Sequence, residues 1–495
     1  EYLPSRGEIE SKSSFFITTF ISKMILYHNN NKLRNHMKKI TCRTEEDSLG
    51  KVKVPRSALY GAQTQRAIDN FKISRDVFPP EFIESLAALK AACAKANHKS
   101  KLMPASIANA ISSCALDIHK NIEKYYDQFP IDIYQTGSGT STNMNMNEVL
   151  STIVSKKLKK NIHPNDDINK SQSSNDIIPT TINICSVLLA LELNDALDYF
   201  TMKLIDKEFE VKDVIKSGRT HLMDAVPLSF GYEIEAWREQ VVHCNQPLLQ
   251  SAEELQYLPI GGTAIGTGLN APKNFGQSVT KELNKILGKT GAKFTSNPNK
   301  SEMISSQNHI LTMCGALLRV SSCLTKISND LRWMNSGPIS GLSEITLKPL
   351  QPGSSIMPGK INPVIPEAVL MAMAQVSGYH NAINIACISG SFQLNTMLPL
   401  IAKNIIESFN LLINSVYSLA DTVDSFKVND ENIRLNLERN PIIATKLNEI
   451  IGYDLASKIV KEAYKTNQSI VDITEKKTDL SRSQILKLLD PKKLI

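Results

Sequence analysis

Between Pro352 and Pro363 the chain places two hydroxyls (Ser354, Ser355), an ammonium (Lys360) and a side-chain amide (Asn362) within nine residues, with no acid among them. Glycine permits backbone angles that other residues avoid, and proline fixes φ. Gly353, Pro358 and Gly359 therefore read as a shaped loop rather than a slack linker. Such a set of groups suits an anion, because the hydroxyls and the amide donate hydrogen bonds while the ammonium supplies charge.

His221 is a second chemical centre. It lies in Ser217-Gly-Arg-Thr-His-Leu-Met-Asp-Ala-Val-Pro227, embedded among small polar residues. An imidazole titrates near neutral pH and serves in proton transfer or in polarising an anion; a structural histidine held by its turn has the same local sequence. Glu367, four residues past Pro363, opens an apolar helix and is a carboxylate able to orient an imidazole. Spacing along the chain does not show that the two meet.

These groups need a scaffold, and the sequence describes one that is all-α. Polar stretches rich in Gly, Ser, Thr and Asn occur at 135–147, 163–176, 218–228 and 352–367, each expected beside a helix start. There the free backbone N–H groups and the macrodipole favour an anion, so a fold that gathers the stretches would bind a small polyanion. Helical apolar spacing runs over 85–97 and 106–126, with a helix expected from about Glu148. Ile310, Met313, Leu317, Val320, Leu324, Ile327 and Leu331 form an unbroken heptad seam, and the series from Ile401 to Leu419 repeats the pattern. Together with the nearly all-apolar run 182–200, these predict a long central helical bundle completed by other subunits. After Val423 the apolar density drops, and 432–447, 454–466 and 482–489 are shorter helical candidates. By chain order the expected divisions are an N-terminal extension (1–36), a helical domain (37–175), the central bundle (176–425) and a small C-terminal helical domain (426–495).

Composition narrows the function. Net charge is +7, but the first 44 residues hold eight Lys/Arg against three Glu, so the remainder is close to neutral and advertises no nucleic-acid surface. The eight cysteines form no C-x-x-C pair, and the nine histidines show no ligand spacing. Reduced core thiols, no metal and no cofactor are expected. The apolar run from Phe15 to Leu26 is too short to span a bilayer, and no membrane association is expected. Cytoplasmic localisation follows. Mitochondrial import is the alternative if 1–36 is a transit peptide, against which Glu1, Glu8 and Glu10 speak.

Gly353-Ser-Ser-Ile-Met-Pro-Gly-Lys-Ile-Asn-Pro363 resembles the signature loop of the fumarase/aspartase superfamily, whose members eliminate a group β to a carboxylate and release fumarate. The resemblance runs from about Asp47 to about Thr466. Gly61-Ala-Gln-Thr-Gln-Arg66, Gln135-Thr-Gly-Ser-Gly-Thr140, the 163–176 stretch and Gly218-Arg-Thr-His-Leu222 are similar to the class II fumarate hydratase branch. Asn362-Pro-Val-Ile-Pro-Glu367 instead resembles aspartate ammonia-lyases. Gln393 replaces a glutamate usual in fumarases, and Ile339 stands where both branches commonly have arginine. The first and second motifs lack the aspartase forms, and they lie nearer the expected substrate than Val364 does.

The resemblance implies a three-domain fold, a homotetramer whose active sites draw on three chains, and reversible anti addition of water to fumarate through an aci-carboxylate. It assigns Ser354 as the base at C3, Lys360 and Asn362 as holders of the developing charge, and His221 with Glu367 as the handlers of the leaving hydroxyl. It further implies Ser138, Gly139, Thr140, Ser173, Ser174, Asn175, Thr220 and Ser355 as substrate ligands beside Lys360 and Asn362. His163, Pro164, Asn165 and Asp166 match a second anion site, for which a plain helix-start turn is the alternative. An aspartate ammonia-lyase and a non-catalytic structural relative are the rival readings.

Overall fold

The computed structural model describes residues 41–466 and 468–490. The expected extension 1–36, with its apolar run, and the last residues of the basic tail 487–493 lie outside them. The first described element is an antiparallel hairpin, β1 (Cys42–Asp47) and β2 (Gly50–Pro55), in register from Cys42↔Pro55 to Asp47↔Gly50. Every second residue of β1 is more covered, the two-residue period of a strand. Helix α1 (Ala62–Asn70) follows. Its free N-terminal N–H groups are satisfied by a residue far along the chain: buried Glu148 accepts from Gly61, Gln63 and Thr64 at 2.8, 2.9 and 3.1 Å.

Helices α2 (Pro80–Lys99) and α3 (Ala105–Lys120) contain the two expected helical runs. The second run stops at Lys120 rather than near Tyr126, and two 3-10 turns continue it. Helix α4 (Thr140–Leu158) starts eight residues before the expected Glu148. Its first two turns, Thr140 to Asn147, show no apolar period, yet Thr142, Asn143, Asn145 and Asn147 are buried. Tertiary hydrogen bonds, such as Asn145 Nδ2 to the Gln128 carbonyl at 2.9 Å, make these polar side chains tolerable inside.

Helix α5 (Ser174–Val211) is 38 residues long. Strands β3 (Ile215–Thr220) and β4 (Met223–Ser229) form a second hairpin. Helix α6 (Phe230–Leu255), strand β5 (Tyr257–Leu258), helix α7 (Phe275–Ile286), strand β6 (Thr295–Ser296), helix α8 (Lys300–Ser305) and helix α9 (Asn308–Met334) come next, with β5 and β6 paired in parallel. Strand β7 (Ile345–Thr346) later pairs antiparallel with β8 (Lys427–Val428). Helices α10 (Val364–Cys387) and α11 (Leu398–Ser425) lie between them, and α12 (Asp430–Arg439), α13 (Asn448–Ile451), α14 (Tyr453–Thr466), α15 (Ile470–Lys477) and α16 (Arg482–Leu488) close the described chain. The sequence reading did not separate out α15. The all-α class holds, with strands confined to short hairpins and bridges.

Two compact units divide these elements. The first comprises the described part of 1–195 with 246–319 and 374–413; the second comprises 196–245, 320–373 and 414–495. The heptad seams are core: each of the seven α9 residues from Ile310 to Leu331 is at most 1% exposed, and the α11 series from Ile401 to Leu419 is fully buried. In the second unit the long helices pair side by side. Asn245 of α6 donates to Asp198 of α5 at 2.9 Å, Trp237 of α6 to Asp330 of α9 at 3.0 Å, and Lys203 of α5 meets Asp424 of α11 at 3.3 Å. Its C-terminal helices enclose their own core of Leu447, Ile459, Ile473 and Ile485. By length and composition α5 and α9 could each cross a membrane, but 83% and 56% of their most apolar stretches are buried in the protein.

Candidate active site

The loop that carries Ser354 is held in shape by its own backbone. The Gly353 N–H donates to the Lys360 carbonyl at 2.9 Å, and the Asn362 side-chain amide donates to the Gly353 carbonyl at 2.9 Å. A Cβ at Gly353 would lie 2.2 Å from the Lys360 carbonyl oxygen, so only glycine permits this closure. Inside the closed loop, Ser354 Oγ accepts the backbone N–H groups of Ile356 and Met357, at 3.2 and 3.1 Å. Two amide dipoles thus aim at one hydroxyl oxygen and favour its anionic form. Lys360 and Ser355 are exposed, and Lys360 Nζ makes no hydrogen bond or ion pair among the described residues, so its charge is free for a ligand. Glu367 sits exposed in the first turn of α10. A cavity of about 420 Å³ beside the end of the loop is lined by Leu350, Asn362, Pro363, Asp421 and Asp424, but neither Ser354 nor Lys360 borders it.

His221 occupies a different setting from the one expected. The stretch 218–228 lies just ahead of the start of α6 at Phe230, but it is itself the β3–β4 hairpin, with His221 and Leu222 as its two-residue tip. Both have left-handed φ, +56° and +59°, as a type I′ turn requires. Histidine tolerates that region moderately and leucine poorly, so the tip carries strain of the kind that collects at functional positions. Ion pairs hold the base of the hairpin. Buried Lys216 meets Glu233 at 2.6 Å and Glu344 at 2.7 Å, and Glu344 also takes Arg219 at 2.7 Å. Asn440 donates to Ser217 at 2.8 Å. Thr220 and His221 project into solvent, and no hydrogen bond or ion pair joins His221 to Glu367 within the chain.

In the other unit, the first two polar motifs come together. Gly139 caps α4 with φ +72°, and a Cβ there would lie 2.8 Å from Ile178 of α5. Ser138, buried, shares a 2.8 Å hydrogen bond with Thr140, and Asn143 reaches Ser174 Oγ at 3.4 Å. The starts of α4 and α5 therefore abut; Thr142 N–H is taken by Gln135 Oε1 at 3.0 Å and Asn175 N–H by Ser173 Oγ at 3.3 Å, while the two helix dipoles favour an anion. Ser173 and Asn175 lie at the same corner, where the Asn175 amide is held by the Ala264 carbonyl at 2.8 Å.

His163, Pro164, Asn165 and Asp166 form an exposed turn that runs Pro164–Ile168. His163 Nδ1 accepts the Asp166 N–H at 3.1 Å, which makes the imidazole a cap for the turn and leaves Nε2 outward.

Sequence reasoning missed the groups beneath this corner. Asp176 is fully buried and accepts the N–H groups of Ser173, Gly261 and Thr263 at 2.9, 2.9 and 3.0 Å, which ties 173–175 to the 261–263 turn. Burial pushes its carboxyl up to about 6 against those hydrogen bonds. Lys90, bonded to Asn169 and Gln172, acts on Asp176 through its charge. Nothing in the local pattern of α2 marks Lys90 as internal except its place on an otherwise apolar face, between Leu89 and Ala91.

The sequence profile of the lyase family matches residues 50–378, and that of the fumarase C C-terminus matches 443–495. A class II fumarate hydratase from Xylella fastidiosa is 48% identical over 452 residues, which cover 91% of this chain and 94% of that protein. A second, from Pseudomonas aeruginosa, is 46% identical and covers 91% and 98% respectively. The crystal structure of recombinant class II fumarase from Schistosoma mansoni superposes with a TM-score of 0.86 at 33% identity, over 91% of this chain and 98% of that one.

Proposed function

This chain belongs to the lyase family and, within it, to the class II fumarate hydratases, and we propose that Ser354, Lys360, Asn362, His221 and Glu367 carry its reversible hydration of fumarate to (S)-malate. The observation that carries this assignment is the pair of backbone N–H groups on Ser354 Oγ. A serine hydroxyl is a weak base in water; two preorganised dipoles and the nearby ammonium of Lys360 lower the cost of its alkoxide.

In the malate-to-fumarate direction, Ser354 takes the C3 proton. The electron pair moves into the adjacent carboxylate, which becomes the dinegative aci form. Lys360 meets that charge as it develops, and Asn362, with one N–H spent on the Gly353 carbonyl, has the second to give. The pair then returns to form the C2–C3 double bond as the C2 hydroxyl leaves. A proton from His221, delivered through water and supported by Glu367, converts the hydroxyl to a water molecule. Ser138, Gly139, Thr140, Ser173, Ser174, Asn175, Thr220 and Ser355 bind the dicarboxylate through neutral donors. His163, Pro164, Asn165 and Asp166 form a second anion site on the outward Nε2 of His163.

His221 and Glu367 are both exposed and unjoined within one chain, and apolar Met371 and Ile385 of α10 and Ile388 just after it also face outward. Both facts support a homotetramer in which neighbouring copies complete each active site and cover those faces. By chain order the division remains 37–175, 176–425 and 426–495. Seven of the eight cysteines are buried in the core, which supports a reducing compartment, the cytoplasm, and interconversion of fumarate and malate supports a place in the tricarboxylic acid cycle.

The aspartase-like stretch 362–367 keeps the Asn362 and Glu367 that the mechanism uses, the other two departures, Ile339 and Gln393, are exposed, and the relatives named above are fumarate hydratases. Absorbance of fumarate formed from malate and then from aspartate tests the reading. Fumarate from malate alone is expected. Fumarate from aspartate but not malate would overturn it, and none from either would leave a structural relative.

A further inference from the structure

Beneath the Ser174 corner lies a charge that the reaction steps leave unused. Lys90, in the middle of α2, is 1% exposed. Its Nζ donates to Asn169 Oδ1 at 3.1 Å and to Gln172 Oε1 at 2.9 Å, both neutral oxygens. Asn169 Oδ1 also accepts from Asn143 Nδ2 at 3.2 Å, and the Asn143 amide reaches Ser174 Oγ at 3.4 Å. The chain Lys90–Asn169–Asn143–Ser174 thus links a core ammonium to a hydroxyl at the start of α5.

Enclosing an ammonium among amide oxygens is unfavourable, and a residue needed only to fill this space would be better apolar. The donors at the corner (Ser138, Thr140, Ser173, Ser174, Asn175) are all neutral, whereas a dicarboxylate brings two negative charges. We propose that Lys90 is a positioning residue for the substrate: it anchors the 169–174 segment through Asn169 and Gln172, and its buried charge favours a dianion over a monoanion at the abutting starts of α4 and α5. The proposal rests on the reading of Ser174 and its neighbours as substrate ligands.

The titratable groups that act on Lys90 are Cys93, one turn along α2, and Asp176 at the start of α5; Asp176 acts in turn on Lys300. Burial brings the Lys90 ammonium down to about 7. A dianion arriving at α5 holds the proton on Lys90 more tightly, so binding is coupled to proton uptake. Affinity then weakens as pH rises above about 7, where free Lys90 is neutral.

The test is steady-state kinetics of the full-length enzyme and its Lys90→Met variant between pH 6 and 9, with succinate and succinamate as dianionic and monoanionic inhibitors. In Lys90→Met, the malate KM and the succinate Ki should rise about tenfold, succinamate should lose less than about threefold, and kcat should change little. The rise of KM above neutral pH should vanish. An unchanged KM and pH profile would overturn the proposal, as would equal losses for the two inhibitors, which mark packing alone. Ser174→Ala tests the underlying reading separately: an unchanged KM there removes the substrate corner whatever Lys90→Met shows. If Lys90→Met does not fold, Gln172→Met removes one of the two oxygens and should move the KM rise to lower pH; an unmoved rise would overturn the proposal.

Discussion

Asn362 donates its side-chain amide to the Gly353 carbonyl at 2.9 Å and so closes the loop on which Ser354 is presented. The same loop is closed a second time by the Gly353 N–H on the Lys360 carbonyl. In the proposed mechanism Asn362 therefore has two tasks, loop closure and charge binding, and one N–H for each. Asn362→Ala should lower kcat by about 10²–10³-fold, the range for removal of one oxyanion donor. Asn362→Asp, which can neither donate to the Gly353 carbonyl nor bind an anion, should be no better. Steady-state kinetics with malate checks both, and a kcat within a few-fold of wild type in either would show that the loop holds without the amide.

Glu344 neutralises two cations of the His221 hairpin, Lys216 and Arg219, and is itself 3% exposed. Glu344→Ala takes the carboxylate from Arg219 and leaves Lys216 with Glu233 alone, and breaking a buried pair in this way costs about 3–5 kcal/mol. The variant should lose thermal stability and kcat/KM together, because the hairpin tip loses its anchor. Glu233→Ala, which removes the more exposed partner, should lose less of both. Thermal melts at fixed protein concentration, paired with malate kinetics, distinguish the two.

His309, in the first turn of α9, is 8% exposed, and its Nε2 has no hydrogen-bond partner among the described residues. Burial brings its imidazole from 6.5 down to about 4. Between those values the unfolded chain takes up a proton that the folded chain does not, so stability falls as pH drops through this window. The total is on the order of 3 kcal/mol. His309→Leu should flatten this part of the pH–stability curve without altering activity at pH 7. Urea unfolding at pH 7 and pH 5 measures it; an unchanged difference between the two would place the acid sensitivity elsewhere.

What the sequence conveyed and what it hid separate along physical lines. The seams from Ile310 to Leu331 and from Ile401 to Leu419 were legible because burial imposes a helical period on apolar residues, and each of those residues is buried. The start of α4 was hidden because its buried residues are polar: Asn143 and Asn145 are held by tertiary hydrogen bonds and Asn147 lies buried beside Met144, which leaves no apolar period. The stretch under His221 was legible as polar and ahead of a helix, α6, but not as a hairpin, since only the left-handed backbone of His221 and Leu222 turns it. At the candidate site, the residues with distinctive chemistry were legible: Ser354, Lys360, Asn362 and His221. Their supports were not. Glu344, Asp176 and Lys90 act from positions 125, 87 and 79 residues from the groups they hold (Arg219, Thr263 and Asn169), and no local window contains both ends.

The central claim is that Ser354 is the base, and Ser354→Ala tests it most directly. With malate, kcat should fall by about 10²–10⁴-fold, the usual contribution of a positioned general base, while KM stays within a few-fold because the ligands of the dicarboxylate remain. A kcat within about tenfold of wild type, or a loss confined to KM, would contradict the assignment.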